Sequence, residues 1–303
     1  MWTQIAHHIS NITGKSFFVN SSRSVSGGCI NQGYAISSDT DTYFVKLNSA
    51  SQVGRSLRCP EPVEGSLVEV MFEAEAKALE QMLATATIRV PKVICWGTAE
   101  NSAYLVLEWL ELGRGDSHSW LELGRKLAAM HFHTSDRGMG WEQNNTIGST
   151  PQINTWTTDW AEFYGKHRLG YQFQLAKKRG GHFPQQQQLL AAIPQILTHQ
   201  PQRSLVHGDL WGGNAACTVS GEPVIFDPAV YFGDPEVDIA MTELFGGFPA
   251  AFYRGYNEVF PLDSGYEKRK TLYNLYHILN HFNLFGGSYE SQANRMITQI
   301  LGA

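Results

Sequence analysis

Leu205-Val206-His207-Gly208-Asp209-Leu210-Trp211-Gly212-Gly213-Asn214 is followed, 13 residues after its last member, by Asp227 within Ile225-Phe226-Asp227-Pro228-Ala229. Each stretch opens on a short apolar run, Ser204-Leu205-Val206 and Val224-Ile225-Phe226, that reads as a strand delivering the chain to a loop. Asp and Asn are common in loops, so either stretch alone is ordinary. Together they supply a carboxylate, an amide five residues on and a second carboxylate, each group after a short strand. Moving a phosphoryl group to a hydroxyl needs that set: one carboxylate to orient the hydroxyl and accept its proton, and oxygen ligands for Mg²⁺.

The spacing of Asp209 and Asn214 matches the kinase pattern H-R-D-x-x-x-x-N, in which the Asp is the base and the Asn holds metal. Working outward, the strand Tyr43-Phe44-Val45-Lys46-Leu47 offers a lysine placed to pair phosphates. A helix from about Met71 to Leu83, with Phe72, Ala76, Leu79 and Leu83 on one face, follows it. Glu75 shares the inward face of Phe72 and Leu79, so it is favoured over Glu73 and Glu80 as the partner of Lys46. The turn Gly27-Gly28-Cys29-Ile30-Asn31-Gln32-Gly33 ends 13 residues before Lys46. Its glycines would let backbone N–H groups approach phosphate oxygens, although it lacks the G-x-G-x-x-G spacing and also reads as a plain hairpin turn. Gly14-Lys15-Ser16 mimics the tail of a Walker A loop, but Ile9 stands where that loop needs Gly, which excludes it.

The order of elements predicts an α+β chain of two lobes. Residues 1–107 read as a small β-rich nucleotide lobe, 108–112 as a hinge and 113–303 as a larger, mainly helical lobe for catalysis and substrate. Val93-Ile94-Cys95-Trp96 and Ala103 to Glu108 read as strands; Trp120–His133, Trp156–Leu175, Pro184–Leu197, Tyr273–Phe285 and Gln292–Leu301 as helices. The polar, Pro- and Gly-bearing stretch at about 54–69 reads as a mobile insertion. A length of 303 residues with 43% hydrophobic and 17% charged residues suits such a globular chain. The net charge of −5 argues against nucleic acid as a partner. Four scattered cysteines, Cys29, Cys59, Cys95 and Cys217, show no zinc spacing and read as reduced thiols. Without a secretory start or a spanning apolar run, the expectation is a cytoplasmic protein free of the membrane.

At this point the residues resemble a known family. The 205–214 run looks like the catalytic loop of the fructosamine kinases, members of the protein-kinase-like fold near the aminoglycoside and choline kinases. Gly233-Asp234-Pro235-Glu236-Val237-Asp238-Ile239-Ala240-Met241 is similar to a hallmark of that family, as are Gly27 to Asn31, Met71 to Glu75 and Asn280-His281-Phe282-Asn283. The likeness spans nearly the whole chain except the 54–69 stretch. It implies transfer of the ATP γ-phosphoryl to the third-carbon hydroxyl of a ketosamine, derived from ribulose or fructose, free or protein-bound. The unstable product then releases the amine, which is deglycation. It further implies Asp209 as base, Asn214 and Asp227 as Mg²⁺ ligands, Lys46 as phosphate contact positioned by Glu75, and Leu107 to Leu110, with Glu108 and Leu110, as the adenine hinge. Gly27, Gly28, Cys29, Ile30 and Asn31 would cover the phosphates. Trp211 could stack on a sugar and His281 bond its hydroxyls, with core packing the alternative for both. Asp234 and Glu236 could meet the cationic amine, and Asp238 reads as a cap for a helix starting near Ile239. Cys29, in an anion-favouring turn, is a redox candidate, with an inert turn residue the alternative. An aminoglycoside- or choline-type kinase, a non-catalytic nucleotide-binding scaffold, and a monomer or a homodimer all stay open at this stage.

Overall fold

The computed structural model describes residues 1–25, 31–49 and 67–302. Its first part is one antiparallel sheet in the order β1-β2-β3-β5-β4, built from β1 (Ser21–Val25), β2 (Gln32–Ser37), β3 (Thr42–Ser49), β4 (Val93–Ala99) and β5 (Ser102–Glu108). Alternation along β5 sorts its side chains between two cores. Tyr104 and Val106 face α1 (Trp2–Thr13) with Ile5, Ile9, Val45 and Leu47. Leu105 and Leu107 face α2 (Leu67–Ala84) with Phe72, Ala76, Leu79 and Met82. Because Val45 and Leu47 point toward α1, Lys46 between them points to the α2 side. Helix α2 starts at Leu67, inside the expected insertion, whose residues to 66 lie outside those described. Leu83 is 39% exposed, and Met82 takes its place on the buried face.

The chain leaves β5 and adds β6 (Leu112–Gly113) to β10 (Ala215–Thr218), itself paired with β11 (Pro223–Ile225). Most of the remainder is helical. Helix α3 (Ser117–His131), capped by Asp116 accepting Ser119 N–H at 2.8 Å, buries Leu123, Leu127, Met130 and His131. It crosses α8 (Ala250–Val259) so closely that a Cβ on Gly124 would lie 2.1 Å from Phe252 O, and one on Gly255 2.1 Å from Leu121 O. The single helix expected at 156–175 is instead α4 (Trp160–Phe163), a π-helical stretch over Tyr164–Gly170 and α5 (Tyr171–Arg179). Helices α6 (Gln186–Ile196), α9 (Tyr266–Phe285) and α10 (Tyr289–Leu301) match expected ones, α9 beginning seven residues earlier than read. Helix α7 (Glu236–Leu244) follows β12 (Tyr231–Gly233), which pairs antiparallel with β9 (Ser204–Val206). The hairpin β7–β8 (Asn145–Ile147, Thr150–Gln152) lies beside this pair. No helix among the described residues is long and apolar enough to cross a membrane.

Candidate active site

The pairing of β9 with β12 sets Val206 opposite Tyr231. The loop after β9 and the loop before β12 therefore leave the same end of the ladder, which brings Asp209 toward Asp227. Gly208 makes the approach feasible. It sits at φ +80°, and a Cβ there would lie 2.1 Å from Ala229 O. His207 O accepts Ala229 N–H at 2.8 Å, tying the two loops together. Asp227 itself adopts φ +58°, a left-handed conformation that Asp tolerates better than most residues.

The loop carrying Asp209 is held from behind by Asp238. Its carboxylate accepts His207 N–H at 2.7 Å, Gly208 N–H at 2.8 Å and His131 Nε2 at 3.1 Å, while His131 Nδ1 meets Tyr256 Oη at 2.8 Å. Burial alone would raise this carboxyl; the hydrogen bond and charge of His131 and the loop amide N–H groups hold it below the ordinary value. Asp238 thus lies inside α7 and anchors the loop that carries Asp209 rather than capping a helix. His207 Nε2 donates to Phe226 O at 3.0 Å, leaving Nδ1 to accept Asp209 N–H at 3.2 Å. Burial keeps this ring below its ordinary pKa, in keeping with the neutral tautomer those partners require.

Asn214 Nδ2 donates to Asp209 O at 2.9 Å and to Asp209 Oδ2 at 3.3 Å. Burial first, then the Asp227 charge, pushes the Asp209 carboxyl up to about 7 against the Asn214 bond. A carboxylate tuned near neutrality is suited to taking a proton. Lys46 Nζ donates to Glu75 Oε1 at 2.5 Å and also to Asp227 Oδ1. Burial opposes the Lys46 charge, but Asp227 and then Glu75 override it and raise the pKa, so the ammonium stays protonated. The donor set left for a metal is the Asp227 carboxylate, 37% exposed, and Asn214 Oδ1, which takes no hydrogen bond from the described residues. These are hard oxygens of the kind Mg²⁺ prefers, so the residues fit that ion.

One cleft of about 210 Å³ is lined by Asn31, Lys46, Glu75, Asp209, Asn214 and Asp227, and also by Trp211 and His281. The structure therefore brings together eight of the residues singled out in the sequence. Gly27, Gly28, Cys29 and Ile30 lie outside the described residues. Glu108 and Leu110 are not in the cleft lining, and the Glu108 carboxylate accepts Arg89 Nη2 at 2.9 Å and Lys92 N–H at 2.7 Å. Asp234 and Glu236 need correction. Both are buried, Asp234 bonded to His199 at 2.6 Å and Tyr273 at 2.5 Å, Glu236 bidentate to Arg269 at 2.7 Å. Their oxygens brace α7 against α9 and do not line the cleft.

Trp211 is 37% exposed at the cleft edge, packed against Phe245. His281 Nδ1 donates to His277 O at 2.8 Å, and burial lowers its pKa. The neutral ring then presents Nε2 as an acceptor. Sequence reasoning missed the β7–β8 hairpin, whose Asn145 and Gln152 donate to Val230 O and Ala229 O at 2.9 Å and so pin the segment after Asp227. Only the polar character of Asn145 and Gln152 signalled it.

A sheet of five strands before a helical half, with two carboxylates and an amide on adjoining loops, is the arrangement of a kinase-like phosphotransferase. Comparison with known proteins agrees: the fructosamine kinase family model matches residues 1–303, and the chain belongs to that family. It is 54% identical over 301 residues to a "Probable ketoamine kinase" of Synechocystis sp., covering 99% of this chain and 97% of the relative. It is 43% identical over 296 residues to the chloroplastic protein-ribulosamine 3-kinase of Arabidopsis thaliana, covering 95% of this chain and 85% of the relative. The crystal structure of a "Putative fructosamine-3-kinase" from Haemophilus somnus superposes with a TM-score of 0.89 at 31% identity, covering 99% and 98% of the two chains. Aminoglycoside phosphotransferase APH(4)-Ia, solved with AMP-PNP and hygromycin B, shares the fold with a TM-score of 0.63 at 16% identity over 97% of each chain. The protein is thus an enzyme that transfers phosphoryl groups to an alcohol acceptor.

Proposed function

We propose that this protein uses ATP and Mg²⁺ to phosphorylate the third-carbon hydroxyl of a ketosamine, a ribulosamine or fructosamine, initiating its deglycation. The observation that carries the reading is the meeting of Asp209, Asn214, Asp227 and Lys46 in one cleft whose rim holds Trp211 and His281. The family's ketoamine and ribulosamine kinases support the acceptor class.

Asp209 orients the acceptor hydroxyl; as the hydroxyl oxygen bonds to the γ-phosphorus of ATP, the bond from that phosphorus to the β,γ-bridging oxygen breaks, ADP leaves, and the hydroxyl proton passes to the Asp209 carboxylate. Lys46, held by Glu75, pairs with phosphate oxygens and gives up its contact with Asp227. Asn214 and Asp227 would hold Mg²⁺, which supplies charge to neutralise phosphate oxygens. Trp211 offers an apolar face to the sugar and His281 Nε2 accepts from one of its hydroxyls. Asn31 meets the nucleotide phosphates, and Leu107 to Leu110 receive adenine. The free thiols Cys95 and Cys217 support a cytoplasmic setting.

The test is ADP release with MgATP and a panel of acceptors: ribulosamine- and fructosamine-modified lysine, an aminoglycoside, and choline. Release that depends on a ketosamine, with the others at background, is expected. Release driven by the aminoglycoside or choline alone would overturn the acceptor assignment.

A further inference from the structure

His277 lies one turn before His281 on α9 and is 4% exposed. Its Nδ1 faces Asp209 Oδ1 at 3.9 Å and is buried with no hydrogen-bond partner among the described residues. A buried polar atom left unpaired costs on the order of 1–3 kcal/mol, so one retained beside a catalytic carboxylate calls for a use. Burial first, then the neighbouring His281, lowers the ring to about 3, so it is neutral and carries one N–H and one lone pair. A lone pair on Nδ1 would oppose the electron-rich Asp209 oxygen, whereas an N–H there attracts it. The separation is about 1 Å beyond a hydrogen bond, and such contacts tighten in the reactant complex.

We propose that His277 is a positioning residue for Asp209: it donates Nδ1–H to Oδ1 in the reactant complex, while Asn214 holds Oδ2. The two donors fix the plane of the carboxylate, so that its remaining lone pairs meet the acceptor hydroxyl. His277 transfers no proton; the acceptor's proton goes to Asp209. Its kinetic consequence rests on the phosphoryl-transfer reading above.

The variants that test this keep or lose a donor at the Nδ1 position. His277→Asn places its amide near Nδ1, His277→Gln places it near Nε2, and His277→Leu has none. The expected result is a fall in kcat of about tenfold to a hundredfold for Gln and Leu, with acceptor KM and MgATP affinity little changed, and recovery in Asn. Equal kcat in all variants, or equal loss in all three, would overturn the proposal. Nitrogen-15 NMR of the histidine-labelled full chain gives a readout that needs no acceptor, with His277→Asn assigning the signal. A neutral ring protonated at Nδ1 is expected, and a proton on Nε2 alone would overturn the proposal. If the wild type phosphorylates no ketosamine, the proposed function fails while the NMR result still decides the state of His277.

Discussion

The Asp238 carboxylate accepts the backbone N–H of His207 at 2.7 Å, so a residue of α7 fixes the loop that carries Asp209, the proposed base. Asp238 is 1% exposed and bonds Gly208 N–H and His131 as well. Asp238→Ala strands three buried donors. We expect a loss of about 3 kcal/mol or more in urea unfolding, with kcat reduced more than MgATP affinity. Unchanged stability would show that the anchor is dispensable.

The crossing of α3 and α8 leaves no room at Gly124. Gly124→Ala should force the helices apart and cost about 1–3 kcal/mol, read as a lower urea midpoint at unchanged slope. An equivalent change at Gly212, where a Cβ meets nothing within 4 Å, provides the contrast in stability.

His277 makes the fold acid-sensitive in a way that can be isolated. Its pKa falls from the ordinary 6.5 to about 3 in the folded protein. Above 6.5 neither state binds the proton. Below it the unfolded chain does and the folded one does not, so stability is lost as pH falls toward 3. Relative to His277→Asn, the wild type should lose about 1.4 kcal/mol per pH unit in that window, or about 2 kcal/mol between pH 6.5 and 5. Parallel urea titrations at pH 7.5 and 5 measure the difference, and a constant offset would contradict the burial of a neutral ring.

Burial pushes the Cys95 thiol up to about 12 and raises Cys217 as well. Neither should react with a disulfide reagent at pH 8 until the protein is unfolded. Peptide mapping of the native protein should therefore find no label at Cys95 or Cys217. Fast labelling at Cys95 would show that the sheet opens between β4 and α1.

The parts of this site legible in the sequence are those set by local pattern. Asp209, Asn214 and Asp227 stand next to short strands, and Lys46 with Glu75 follows from strand alternation and helical periodicity. What was not legible depends on pairing across distance. Asp234 and Glu236 sit in the most family-like stretch, yet their partners, Tyr273 and Arg269, arrive from α9, more than thirty residues on. Asp238 looked like a local helix cap, but its ligands come from loops and helices far away in sequence. Helix α1 is legible only in retrospect, from the spacing of Ile5 and Ile9 on its buried face and from Gly14, at φ +69°, at its end. Helix α8 carries no capping signal in its own residues, and only its close packing on α3 explains Gly255.

The central claim is that Asp209 is the base for phosphoryl transfer to a ketosamine. The most direct test is mass spectrometry of ribulosamine-modified lysine incubated with the protein, ATP and Mg²⁺. The wild type should add one phosphoryl group, and Asp209→Asn should add none while still binding MgATP, since the carboxylate serves the acceptor and not the nucleotide. Phosphorylation by Asp209→Asn at the wild-type rate, or no phosphorylation by a wild type that binds ATP, would contradict the account.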